Sequence, residues 1–190
     1  VADVGEIPWN WVLIRASGIT AWGLLTAVVV VGLVLATRLP PRLASAPRLL
    51  PLHRWLGALA LAFTGLHMAL LLIDPVEPFT VVEILVPFTA PWEPVAVALG
   101  TIALWLLLPV SVIGRLRSRV ARVGGAWFTR AHWLAYAAWP LATAHYVLAG
   151  TDALTEWSLG LLITGTVLVV VALLLRGNAH RRPRRPTLTR

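Results

Sequence analysis

The sequence predicts an all-α integral membrane bundle of five transmembrane helices, with its N-terminus outside and its C-terminus inside. Three observations predict it. Of 190 residues, 58% are hydrophobic and 13% charged, and the mean hydropathy is +0.81. A soluble domain of this size cannot hide so much apolar surface, whereas membrane helices expose it to lipid. Charge-free windows at 16–37, 55–73, 94–114, 131–151 and 157–175 each approach the ~20 residues that cross a ~30 Å hydrocarbon core. Charge also alternates from one inter-window segment to the next. All sixteen basic residues are arginine, and fifteen fall at 38–54, 115–130 and 176–190, whereas all eight acids fall at 3–6, 74–93 and 152–156. That alternation is the positive-inside bias.

The same distribution explains the net charge of +8. It marks topology and lipid-headgroup contact, and no nucleic-acid partner is expected. With no cysteine, disulfides, thiolate metal sites and thiol nucleophiles are excluded.

In chain order, residues 1–12 form an outer segment in which Trp9 and Trp11 suit a headgroup-level aromatic belt. It lacks the positive start of a secretory signal, so the first helix, 13–37, is expected to be retained. Arg15 is the one base on the outer side; helix-end arginines commonly snorkel to the headgroups. The prolines of 38–52 predict an inner loop. Helix two follows over 52–73, with Gly57, Ala58, Ala60, Ala62 and Gly65 serving either close helix packing or the approach of a flat macrocycle. In the outer loop 74–93, Val81, Val82, Ile84, Leu85 and Phe88 predict an interfacial helix, either an anchor on the membrane or a cap over an outer cofactor. Helix three, 94–114, is free of histidine and charge and reads as a packing element. Helix four covers 128–150 and helix five 157–176. Residues 177–190 form a basic cytoplasmic tail, disordered or lying on anionic lipid, and His180 within it has no assigned role. No internal repeat is evident beyond the match between the two histidine-bearing helices.

Those two helices carry the chemistry. His53 and His67 lie fourteen residues apart on helix two; His132 and His145 lie thirteen apart on helix four. Ionisable groups in lipid are costly and point to function. Both helices rise outward from an arginine, Arg54 or Arg130, so His53 matches the level of His132. At about 1.5 Å per residue, His67 and His145 share a second level roughly 20 Å further out. Fourteen residues return to within about 40° of the starting face, but thirteen leave His145 about 140° from His132 on an ideal helix. Pro140 lies between them and predicts a kink or local rewinding.

Two imidazoles per level are too few for zinc, which wants four ligands. They suit haem iron, whose macrocycle supplies the other four. The expected cofactors are two bis-histidine b-type haems: an inner one on His53 and His132, an outer one on His67 and His145. Arg54 and Arg130, with the arginines of 115–122, stand at the height of the inner propionates, and Arg15 at that of the outer ones.

These motifs, LHRWLGALALAFTGLH, WFTRAHWLAYAAWPLATAHY and the IRASG around Arg15, resemble the ferric-reductase-like transmembrane domain shared by NADPH oxidases and cell-surface ferric reductases. The resemblance covers about residues 11–176. It implies that each opposite histidine pair holds a b-type haem, that residues 13–176 form one haem domain, and that Arg15 contacts the outer propionates. Complete enzymes of that kind continue into FAD and NAD(P)H domains, and the oxidases carry an additional N-terminal helix. No Gly-rich dinucleotide fingerprint follows helix five here, so no FAD or NAD(P) site is expected. The donor is then a separate flavin/NAD(P)H reductase or a membrane quinol. The expected role is electron transfer across the plasma membrane to an outer acceptor. The alternative within the same superfamily is a single-haem membrane subunit of a periplasmic methionine sulfoxide reductase-type system. A histidine-relay transporter and a purely structural anchor are rivals of other classes.

Overall fold

A computed structural model describes residues 9–37, 46–120 and 125–181, and among these there are six helices and no strand. They are α1 (Trp9–Ala36), α2 (Ala46–Leu72), α3 (Val81–Leu85), α4 (Pro94–Val120), α5 (Gly125–Ala149) and α6 (Glu156–Arg181). Four of them, α1, α2, α4 and α6, are long and apolar enough to cross a membrane. The 25-residue α5 is long enough too, but its tryptophans, histidines and tyrosines lower its apolarity.

Several boundaries differ from expectation. α2 begins at Ala46 and runs through Pro51, so the proline-rich segment 38–52 is helical over its last seven residues. Pro47 sits at the helix start, where no N–H is needed, and Pro51 removes only one early bond. α4 continues past Gly114 to Val120, and α6 past Arg176 to Arg181, because their arginine-bearing ends suit a helix emerging into water. The first part of the expected 177–190 tail is therefore helical, and its remainder lies outside the described residues, as do residues 1–8. α5 runs from Gly125 to Ala149 as one helix with Pro140 inside it.

The helices form two hairpins, α1 packed on α2 and α4 packed on α5, joined by α1 against α5, with α6 on the outer flank of α1. Leu25, Val29 and Leu33 of α1 interlock with Val169 and Ala172 of α6, and Leu107, Tyr136 and Trp139 pack around them. Two reciprocal hydrogen bonds tie α1 to α5: Trp22 Nε1 donates to Thr143 Oγ1 and Trp139 Nε1 to Thr26 Oγ1, each at 3.0 Å. Trp22 also stacks on Tyr146 at 5.2 Å, whose hydroxyl pairs with fully buried Ser158 of α6. Replacing Trp139 with phenylalanine removes the donor together with part of the packed indole, so it should cost more than the ~1 kcal/mol of the hydrogen bond alone. Thermal unfolding in detergent, repeated with Thr26→Val in a double-mutant cycle, measures it.

α3 falls within the loop segment where a short interfacial helix is expected. Thr80 and Glu83 form a capping box at its N-terminus, and its last carbonyls, Ile84 and Leu85, accept bonds from Thr101 and Trp105 of α4. Those donors lie two to three turns into α4, so the loop folds back alongside that helix. Ile84, Phe79 and Ala90 bury against Met68, Leu71 and Val97, while Val81, Val82 and Phe88 remain exposed.

Candidate functional site

Between the two hairpins lies a cavity of about 1710 Å³ that runs past both histidine levels. All four histidines line it. His53 of α2 faces His132 of α5 with ring centroids 6.0 Å apart, and His67 faces His145 at 6.4 Å. The ring planes are inclined by 50° in the first pair and 74° in the second. The structure thus brings together the histidines that their depths had paired, including both histidines of α5.

Neighbouring helices hold three of these rings from behind. His67 Nδ1 lies 2.8 Å from the carbonyl of Ile14, His53 Nδ1 3.1 Å from that of Val28, and His145 Nδ1 2.8 Å from that of Ala96. A carbonyl can only accept, so each Nδ1 carries the proton and each Nε2 keeps its lone pair. One turn after each carbonyl stands a glycine. A Cβ on Gly18 would come within 3.1 Å of the His67 ring, one on Gly32 within 3.1 Å of His53, and one on Gly100 within 2.9 Å of His145. These glycines and carbonyls were not singled out from the sequence, although Gly18 and Gly32 repeat the fourteen-residue interval of His53 and His67.

The expected cations are placed unevenly. Arg15 lines the outer part of the cavity, but it forms an ion pair with Asp152, its side chain only 13% exposed, and its guanidinium lies 3.9 Å from the centre of the Trp11 ring. Simple snorkelling does not describe it. Asp74 and Glu77 also line the cavity, so the outer end carries more acid than base. At the inner end Arg54 and Arg115 line the cavity; Arg130 is exposed and is not among the lining residues. The arginines at 117, 119 and 122 have side chains outside the described residues. Among the described residues no cluster of three or more histidine, cysteine or acidic side chains could hold a metal ion by itself.

The described helices and the matched family identify a multi-pass membrane protein. The family model of the ferric reductase like transmembrane component matches residues 17–143. The chain is also 29% identical over 150 residues to the protein-methionine-sulfoxide reductase heme-binding subunit MsrQ of Caulobacter vibrioides. That match covers 76% of this chain and 64% of the relative, so the chain spans less than two thirds of that protein's length. No solved structure matches.

Proposed function

We propose, from the premise that this chain belongs to the ferric reductase-like transmembrane family, that it is a haem-binding membrane subunit passing electrons to a reductase on the outer face. The likeness to a methionine sulfoxide reductase subunit favours that partner class over a free-standing ferric reductase. The reading takes α5 as a fifth span, with the N-terminus outside and the C-terminus inside, from the arginine segregation.

The observation that carries the cofactor is the spacing of the histidine rings. Two imidazoles on opposite faces of one metal, with metal–nitrogen bonds of about 2.0 Å, hold their centroids roughly 6.3 Å apart. The separations of 6.0 and 6.4 Å fit that arrangement at both levels, with His53 and His132 as inner ligands and His67 and His145 as outer ones. The unprotonated Nε2 of His53, His67 and His145 suits iron ligation, and donation from Nδ1 to a carbonyl is the usual support of a metal-bound imidazole. The cavity volume exceeds the ~300–1,000 Å³ of a single small-molecule site, which favours two macrocycles over one. Haem b supplies reversible one-electron chemistry there. His53, His132, His67 and His145 would hold that group from the cavity wall, and its edge would be the part open to an acceptor.

The chain's own residues do the rest. The apolar walls exclude water, Arg54 and Arg115 offer charge to inner propionates, and Arg15 offers charge to outer ones in competition with Asp152. A sulfoxide takes two electrons and two protons to become thioether and water, so the outer partner must collect two one-electron deliveries. A flavin or a quinol would supply the electrons on the inner side.

A pyridine haemochrome assay on the purified chain tests the reading. Two haem b per chain are expected. One haem would leave the subunit role with a single site, and none would end the haem reading. Partner choice is tested by supplying reduced chain to a purified outer methionine sulfoxide reductase and following haem reoxidation with sulfoxide present.

A further inference from the structure

The histidine seats recur along the chain. In the first hairpin, α1 offers the carbonyls of Ile14 and Val28 with Gly18 and Gly32 one turn after each, and α2 supplies His67 and His53 to them. In the second, α4 offers the carbonyl of Ala96 with Gly100 one turn on, and α5 supplies His145. Ile14 to Ala96 and Gly18 to Gly100 are both intervals of 82 residues, and the same interval carries Val28 to Val110 and Gly32 to Gly114. The acceptor helices α1 and α4 thus share one spacing, whereas the histidines they face lie 79 and 78 residues apart. A Cβ on Gly114 would meet nothing within 4 Å, so the seats in question are those at Gly18, Gly32 and Gly100.

We propose that Gly18, Gly32 and Gly100 are positioning residues for the histidine ligands: each glycine, with the carbonyl one turn before it, forms a seat that fixes the plane and the protonated nitrogen of one imidazole. The inference rests on the haem reading above. Its physical basis is the close approach. The carbonyl of residue i on a helix is crowded on its open side by the side chain of residue i+4. Only a hydrogen there lets an imidazole lie against the backbone and donate to that oxygen. An added methyl group would stand 2.9–3.1 Å from ring atoms, closer than carbon normally tolerates, so the ring must tilt or withdraw from its acceptor. Withdrawal weakens the Nδ1–H···O bond and makes the imidazole a poorer electron donor to the metal, which raises the reduction potential of that centre. Both rings of the outer pair are held in engaged seats, and these two planes are the more nearly perpendicular.

The test uses the full chain with its haem, read by potentiometric titration and by EPR of the ferric form. Gly18→Ala and Gly100→Ala should each raise the potential of the outer haem and change its g-values while sparing the inner haem. Gly32→Ala should do the reverse. Gly23→Ala and Gly160→Ala, at positions where an added Cβ meets nothing within 4 Å and which do not line the cavity, should leave both haems unchanged. A glycine role confined to helix packing would lower thermal stability while leaving potentials and g-values in place, and that result overturns the proposal. If an alanine variant does not accumulate, the unmodified chain still decides. Near-perpendicular ligand planes give the outer haem a strongly anisotropic low-spin signal, and the rhombic signal of parallel planes would refute the seats. Wild-type chain with no haem at all would instead overturn the haem reading beneath them; haem present but indifferent to all three glycines overturns the seats alone.

Discussion

Replacing His67 or His145 with alanine is expected to remove the outer haem and leave the inner one, halving the haem b recovered per chain. Replacing His53 or His132 should do the converse. On the proposed reading each pair would be the whole histidine ligand set of its level, and the pairs are separated by about 20 Å along α2, so loss of one ligand would not offer the other level's histidines as substitutes. Haemochrome stoichiometry with redox titration reads both outcomes. An equal loss of both haems from a single substitution would mean that the levels assemble cooperatively. The electron-transfer consequence is larger than the occupancy change. On that reading electrons would cross in series, so losing either centre should abolish reduction of an outer acceptor by an inner donor. Stopped-flow reduction of the chain in liposomes with donor on one side measures that loss.

Asp152→Ala is expected to destabilise the outer end by about 2 kcal/mol and to lower its thermal midpoint. The substitution leaves the Arg15 guanidinium in a largely buried position without its carboxylate. Breaking a buried pair costs about 3–5 kcal/mol, and the figure is reduced here because the Asp152 side chain is 34% exposed. Trp11 keeps part of the stabilisation through its ring face. The partner substitution Arg15→Ala should be milder, since the remaining carboxylate can turn to water. Arg15→Ala should also lower the outer haem potential, because a cation near the centre favours the reduced form. A redox titration that matches wild type would confine Arg15 to its ion pair.

The hydropathy windows and the arginine segregation located the long helices to within a few residues at most ends. They failed at Ala46–Pro51 and at the basic ends of α4 and α6. Those boundaries lie in the headgroup zone, where charge ends a hydrophobic window without ending a helix, and where proline in a first turn costs little. His132 and His145 illustrate the other limit. Their spacing predicted a conflict with an ideal helix, yet both reach one cavity from a helix that continues through Pro140. Side-chain reach and the course of α5 past α2 are properties of the assembled bundle. Arg15 was legible as an anomaly, but its partner Asp152, 137 residues away, was not.

By itself the sequence determined the helical membrane class and the pairing of the histidines, because each follows from local periodicity and from the cost of charge in lipid. Only the tertiary structure decided what stands behind the rings. The carbonyls of Ile14, Val28 and Ala96 and the glycines one turn beyond them belong to helices that bear no histidine. A backbone acceptor has no signature in the identity of its residue, and a glycine acquires its meaning only when another helix brings an imidazole against it.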